Sequence, residues 1–133
     1  PLVCDDTLQT NDIARIYPDG SFTILGRKDN VINSGGIKVQ AEEIERLLQS
    51  SIPVPFVITS VPDRRLGQAV TLLIEGQMEI SALGTKLESV LASYYRPKYI
   101  YTVNHIPQTG NGKINRKECR VLAESLQLLG RQE

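Results

Sequence analysis

The hydrophobic positions of this 133-residue chain change period several times, and each change marks an element. Ile13-Ala14-Arg15-Ile16-Tyr17 and Ser21-Phe22-Thr23-Ile24-Leu25 flank Pro18-Asp19-Gly20. That pattern predicts a hairpin over residues 12–27, because proline presets φ in the turn and glycine accepts the left-handed conformation. Residues 26–36 are polar and glycine-bearing, interrupted by the apolar pair Val31-Ile32. Ala41, Ile44, Leu47 and Leu48 then recur at helical spacing, with Glu42, Glu43 and Glu45 in the early turns, where carboxylates suit the helix dipole.

Phe56 to Thr59 and Ala69 to Ile74 predict two strands, the second an unbroken apolar run of the kind buried on both faces. Val61 to Gly67 reads as the loop between them. Leu83, Leu87, Val90, Leu91 and Tyr94 predict a second helix, Tyr99 to Val103 a third strand, and Leu122, Leu126 and Leu129 a last helix. The expected fold class is α+β: a small three-stranded sheet packed with helices, preceded by a β-hairpin.

A hydrophobic content of 41% is enough for a core, and a chain of this size buries roughly two-thirds of its unfolded surface. Fifteen basic and fifteen acidic residues cancel, which argues against a nucleic-acid or anionic-membrane partner. No apolar run is long enough to span a bilayer, so membrane insertion is not expected. Cys4 and Cys119 lack metal spacing and read as free thiols in a reducing cytoplasm. The chain begins at Pro1 in mid-pattern, which reads as a piece of something longer.

The most informative stretch is Pro107-Gln108-Thr109-Gly110-Asn111-Gly112-Lys113-Ile114-Asn115-Arg116. Small turn-forming residues carry one lysine, a compact point charge on a long stem suited to phosphate or carboxylate oxygens. A nucleotide P-loop is excluded, because Pro107 stands where glycine is needed and Ile114 where Ser or Thr must hold magnesium.

Gly26-Arg27-Lys28-Asp29-Asn30-Val31-Ile32-Asn33-Ser34-Gly35-Gly36-Ile37-Lys38 leads into Glu43-Ile44-Glu45, and both precede the lysine loop. Val61-Pro62-Asp63, Leu66-Gly67-Gln68 and Tyr95-Arg96-Pro97-Lys98 lie between. Together these resemble the C-terminal portion of the adenylate-forming superfamily of acyl-CoA synthetases, peptide-synthetase adenylation domains and luciferases. The resemblance implies a carboxylic acid activated by ATP to an acyl-adenylate, then passed to a thiol. It further implies that residues 1–29 end a large N-terminal domain and that residues 30–133 are a mobile C-terminal domain. That large domain, the chain's implied partner, would hold Mg2+ and a Ser/Thr/Gly-rich phosphate loop that this chain lacks. The chain alone is therefore expected to be inactive.

Carried over residue by residue, the resemblance makes Lys113 catalytic, bridging the acid's carboxylate and the α-phosphate of ATP. Asp12, in Thr10-Asn11-Asp12, would accept hydrogen bonds from the ribose hydroxyls; on the bare sequence it reads first as a turn carboxylate opening a hairpin. Asn11 stands where the family has glycine, and asparagine also tolerates the left-handed turn. Arg27 would grip the same ribose, or is a solvated strand-end arginine. Lys38 would approach nucleotide phosphate, or is a surface lysine. Asp29 falls at the family hinge. Ser34, Gly35 and Gly36 would let backbone pass close to the pantetheine arm of CoA, or form an ordinary turn. His105 has no nucleophile or carboxylate at motif spacing, and the tyrosines at 94, 95, 99 and 101 read as packing residues.

Among members the run most resembles o-succinylbenzoate–CoA ligases of menaquinone biosynthesis. Two rivals stand beside an acid–CoA ligase: a peptide-synthetase adenylation domain loading a carrier protein, and a non-catalytic binding module.

Overall fold

The computed structural model describes residues 4–7, 11–77 and 80–131. Thr10 and the Cys4 thiol lie outside the described residues. Three strands, β1 (Cys4–Thr7), β2 (Asp12–Ile16) and β3 (Phe22–Arg27), form an antiparallel meander. The expected hairpin is β2–β3, closed by a Gly20 N–H bond to the Tyr17 carbonyl at 3.0 Å. Leu25 is an extra residue in β3, since Ile13 faces Gly26 and Ala14 faces Ile24. A single 3-10 turn at Lys28–Asn30 leads into the second sheet.

That sheet holds five strands: β4 (Val31–Ser34), β5 (Ile37–Gln40), β6 (Phe56–Asp63), β7 (Gly67–Glu75) and β8 (Tyr99–Val103). The three strands expected from the sequence are β6, β7 and β8. The polar run before them adds the hairpin β4–β5, so the sheet is larger than expected. Gly35 and Gly36 sit at φ 61° and 87°, the two positive values that a tight hairpin turn requires. The turn sets Ile32 opposite Val39, and both side chains enter the core.

The run 69–74 is buried on both faces, as its composition predicts. Val70, Leu72 and Ile74 face one way, onto α1 (Ala41–Leu48) and α2 (Ile80–Val90). Ala69 and Leu73 face the other, onto α3 (Arg116–Arg131). Each fully buried Leu or Ile in these layers contributes about 1.5–3 kcal/mol. β8 runs parallel to β7, with α2 as the crossover between them.

Three helical positions differ from the periodic reading. Tyr94 falls after α2, in a separate 3-10 turn over Ser93–Tyr95. Leu129 is exposed, because the buried stripe of α3 is Cys119, Ala123 and Gln127, flanked by half-buried Leu122 and Leu126. Small side chains at 119 and 123 allow a close approach to β6 that leucine would block. Leu47 is likewise exposed beside the buried stripe Ala41, Ile44 and Leu48.

The turn from β6 to β7 is built on Asp63. Its Oδ1 accepts the N–H groups of Arg65 (2.9 Å) and Leu66 (3.0 Å), and its Oδ2 accepts Lys98 Nζ at 2.6 Å. The Lys98 hydrogen bond first, then the two amides, hold the carboxyl well below its ordinary 3.8, at about 2. A carboxyl depressed by folding stabilises the protein above its unfolded pKa and loses that contribution as pH falls through the folded value. Stability should therefore fall between about pH 4 and pH 2, and Asp63→Asn should lower the neutral-pH Tm and flatten part of that acid limb. Urea unfolding from pH 6 to 2 checks this; an unchanged acid limb in the variant would assign the loss to other carboxyls.

Candidate functional site

The lysine loop is a braced turn rather than a slack one. Thr109 N–H donates to the Lys113 carbonyl (2.7 Å) and Gly112 N–H to the Thr109 carbonyl (3.0 Å). Gln108 and Ile114 form an isolated antiparallel bridge, and Asn115 N–H donates to the Pro107 carbonyl at 2.9 Å. Gly112 adopts φ 79°, which the turn needs. Asn115 then caps α3, its Oδ1 accepting Glu118 N–H at 3.2 Å. Ile114 packs on the second core, while the Lys113 side chain is exposed. Among the described residues none forms an ion pair with its ammonium.

Asp12 and Arg27 come together across the β2–β3 ladder as register partners. Arg27 Nη1 lies 3.4 Å from Asp12 Oδ1, with side chains 52% and 26% exposed. Asn11, just before, holds φ 62°, a left-handed conformation that asparagine tolerates, and its carbonyl accepts Lys28 N–H at 2.8 Å.

Asp29 is exposed in the 3-10 turn that joins the two sheets. Glu42, in the first turn of α1, grips the chain on both sides of it. Its Oε2 accepts Arg27 N–H (2.8 Å) and Asn30 Nδ2 (3.0 Å), and its Oε1 accepts Gln40 Nε2 (2.7 Å). Gln40 Nε2 also reaches the Arg27 carbonyl at 2.9 Å. The carboxylate lies so close to Gly26 that a Cβ there would sit 2.3 Å from Glu42 Cδ, which explains the glycine. Burial pushes the Glu42 carboxyl up, but these hydrogen bonds outweigh it and hold the group below its ordinary value.

Ser34, Gly35 and Gly36 form the β4–β5 turn. Gly35 N–H donates to the Leu66 carbonyl at 2.8 Å, and a Cβ at Gly35 would meet Leu66 Cδ2 at 3.0 Å. Ser34 and Gly35 line a groove of about 360 Å³ together with Leu66, Tyr94, Arg96 and Lys98. Lys38 is exposed on β5, in register with Asn33. His105 is exposed, with Nδ1 3.8 Å from Glu75.

Glu45 and Arg116 form the pair that sequence reasoning passed over. Arg116 Nη2 lies 2.6 Å from Glu45 Oε1 and Nη1 3.0 Å from Oε2, a bidentate bridge from α3 to α1. Glu45 Oε2 also accepts Ile58 N–H of β6 at 2.9 Å. Its pattern showed only an early-turn helix carboxylate, yet the Glu45 side chain is just 16% exposed. The available signal was Arg116 itself, a cation at the first position of a helix, where the dipole disfavours it. Beneath it Cys119 is a free, buried thiol whose pKa burial pushes up to about 11.

No family model matches the chain. Triostin synthetase I of Streptomyces triostinicus is 38% identical over 126 residues, covering 91% of this chain and 24% of that protein. The 2-succinylbenzoate–CoA ligase of Lactococcus lactis is 33% identical over 113 residues, covering 84% of this chain and 25% of that one. ATP-bound MatB from Rhodopseudomonas palustris shares the fold, with a TM-score of 0.75 at 24% identity, over 88% of this chain and 24% of that one. The chain belongs to the adenylate-forming ligase superfamily. It spans about a quarter of the length of the curated relatives it matches, and corresponds to the C-terminal domain of such ligases.

Among the described residues, no group of three or more His, Cys, Asp and Glu side chains converges to hold a metal ion. No described helix is long and apolar enough to cross a membrane.

The Glu42 contacts make a direct prediction. Glu42→Ala should cost about 1–3 kcal/mol, since it strands hydrogen-bond donors around a charged acceptor. Chemical denaturation measures the loss, and amide exchange locates it: Arg27 N–H should lose protection while the Leu72 amide keeps its own. Unchanged protection at Arg27 would mean that Glu42 is not what holds it.

Proposed function

We propose that this chain is the C-terminal portion of an ATP-dependent carboxylic acid–CoA ligase. The acid's carboxylate attacks the α-phosphorus of ATP, releasing pyrophosphate and leaving an acyl-adenylate. A CoA thiol then attacks the acyl carbon, AMP departs, and the thioester remains. The observation that carries this reading is the braced turn presenting the exposed Lys113 ammonium. Negative charge gathers on the phosphoryl oxygens as the carboxylate attacks, and a preorganised cation there lowers the barrier.

In this reading Asp12 accepts from the ribose hydroxyls and Arg27 supports the same sugar. Their mutual contact is long and exposed, so a ligand displaces it at little cost. Lys38 contributes positive charge toward phosphate. Residues 1–29 end the large domain, residues 30–133 form the mobile one, and Asp29 is the pivot between them. The Arg27 N–H bond to Glu42 and the Gln40 Nε2 bond to the Arg27 carbonyl, which both cross Asp29, are then what rotation must break.

The acceptor is proposed to be CoA rather than a carrier protein, with its pantetheine arm passing the Ser34-Gly35-Gly36 turn beside the groove of about 360 Å³. The Mg2+ that accompanies ATP is assigned to the large domain. The finer reading is an o-succinylbenzoate–CoA ligase of menaquinone biosynthesis, acting in the cytoplasm. It is supported by similarity to the Lactococcus relative of that activity. A panel of aryl and aliphatic acids assayed with the full-length protein tests it; preference for another acid overturns it.

Lys113→Ala in the full-length protein should cripple adenylation while leaving thioester formation from supplied acyl-adenylate largely intact. Loss of one preorganised charge contact costs on the order of 3–4 kcal/mol, or roughly 10²–10³ in rate. Lys113→Arg should also fail substantially, because a broad guanidinium does not fit the place of a compact ammonium. Acid with ATP measures the first step and purified acyl-adenylate with CoA the second. Wild-type adenylation by Lys113→Ala would overturn the assigned role.

Asp29→Pro should spare adenylation more than thioester formation. Proline fixes φ near −65° and restricts the residue before it, which holds the domains in one orientation. Equal losses in both half-reactions would show that the pivot lies elsewhere.

A further inference from the structure

We propose that Glu45 and Arg116 are positioning residues for Lys113: their bidentate bridge sets where the lysine turn stands relative to α1 and the hinge. This inference rests on the reading of Lys113 as the adenylating cation.

The tip of the lysine turn touches little. A Cβ added at Gly110 or Gly112 would meet no heavy atom within 4 Å. The turn is stiff within itself, but its place in space is inherited from its root. That root is the Pro107–Asn115 backbone bond and the start of α3, where Arg116 follows Lys113 by three residues.

Arg116 is ill placed for helix stability. A cation at a helix N-terminus opposes the dipole, and its side chain is only 27% exposed. Burial works against its charge, yet the Glu45 carboxylate more than compensates and raises its pKa. Two parallel N–H···O contacts at 2.6 and 3.0 Å fix the direction of the guanidinium as well as its distance. Glu45 is fixed in turn, because Oε2 also holds Ile58 N–H on β6.

One helix therefore ties both parts of the proposed site. From α1, Glu42 holds Arg27 N–H beside the Asp12–Arg27 pair, and Arg46 Nη2 reaches the Leu25 carbonyl at 3.0 Å. Three residues along from Glu42, Glu45 holds the root of the lysine turn. A displacement of that root moves the Lys113 ammonium off the phosphate, and misplacement on the scale of an ångström is costly to reaction rate.

The test uses Glu45→Gln and Arg116→Lys in the full-length protein, with Lys113→Ala as reference. Both variants keep a polar partner, so the fold is retained while the bidentate charged geometry is lost. Adenylation kcat should fall about 10- to 100-fold with KM for ATP changed far less, and thioester formation from supplied adenylate should hold. Each variant combined with Lys113→Ala should be no slower than Lys113→Ala alone, since both act through one ammonium. In this chain, Glu45→Gln should also lower amide-exchange protection at Thr109 and Gly112 while that of Leu91 in the α2 turn holds.

If Lys113→Ala adenylates normally, the reading of Lys113 fails and takes this inference with it. If Lys113→Ala is crippled while Glu45→Gln and Arg116→Lys adenylate like wild type, the positioning inference alone is overturned. Equal loss of both half-reactions, or additive losses in the combined variants, overturns it as well, because a general loss of fold would then be the cause.

Discussion

Because β6 and β7 bury both of their faces, the chain must cover them with helices on two sides, and every other placement follows from that need. Val70, Leu72 and Ile74 draw α1 and α2 to one face; Ala69, Leu73 and Val57 draw α3 to the other. Only an arrangement in three layers removes all of these side chains from water. A consequence is that α1 and α3, separated by a long stretch of sequence, meet around the edge strand β6. There Glu45 accepts the Ile58 N–H and receives Arg116 at the same time. An edge strand leaves backbone donors unpaired, and here a carboxylate from one covering helix satisfies one of them while binding the other helix.

The same helix carries four charged residues that reach four different neighbours. Glu42 takes the Arg27 N–H and the Asn30 amide, Glu45 takes α3 and β6, and Arg46 takes the Leu25 carbonyl of the meander. Glu43 lies 3.5 Å from Arg15 and accepts the Tyr95 hydroxyl at 3.3 Å. Helix α1 is eight residues long, too short to be stable by itself, so these contacts and its buried apolar stripe hold it in place.

Two ion pairs in this chain have opposite physical characters, and the difference matches their proposed uses. Asp12–Arg27 is long and exposed, a pair worth about 0–1 kcal/mol that a ligand can rearrange. Glu45–Arg116 is short, bidentate and part-buried, and its two parallel contacts fix direction as well as distance. The first suits groups that must exchange one partner for another during a reaction. The second suits groups that must stay where they are.

The sequence by itself determined the α+β class, the β2–β3 hairpin, the three strands of the central run and the family, because these rest on local period and on motifs in order. At Asn11 it showed only a residue that tolerates the left-handed conformation, which the structure then adopts. It did not reveal the β4–β5 hairpin, whose polar residues hide the alternation that puts Ile32 against Val39. Nor did it distinguish Leu129 from Cys119 on α3, because which stripe is buried depends on how closely the sheet approaches. Glu42 and Glu45 look alike in sequence as charges at the start of a helix. Their separate tasks, one at the 3-10 turn between the sheets and one at the root of the lysine turn, exist only after two sheets and three helices have been folded around one edge strand. Pairing between distant charges is a property of distance in space, and no local pattern encodes it.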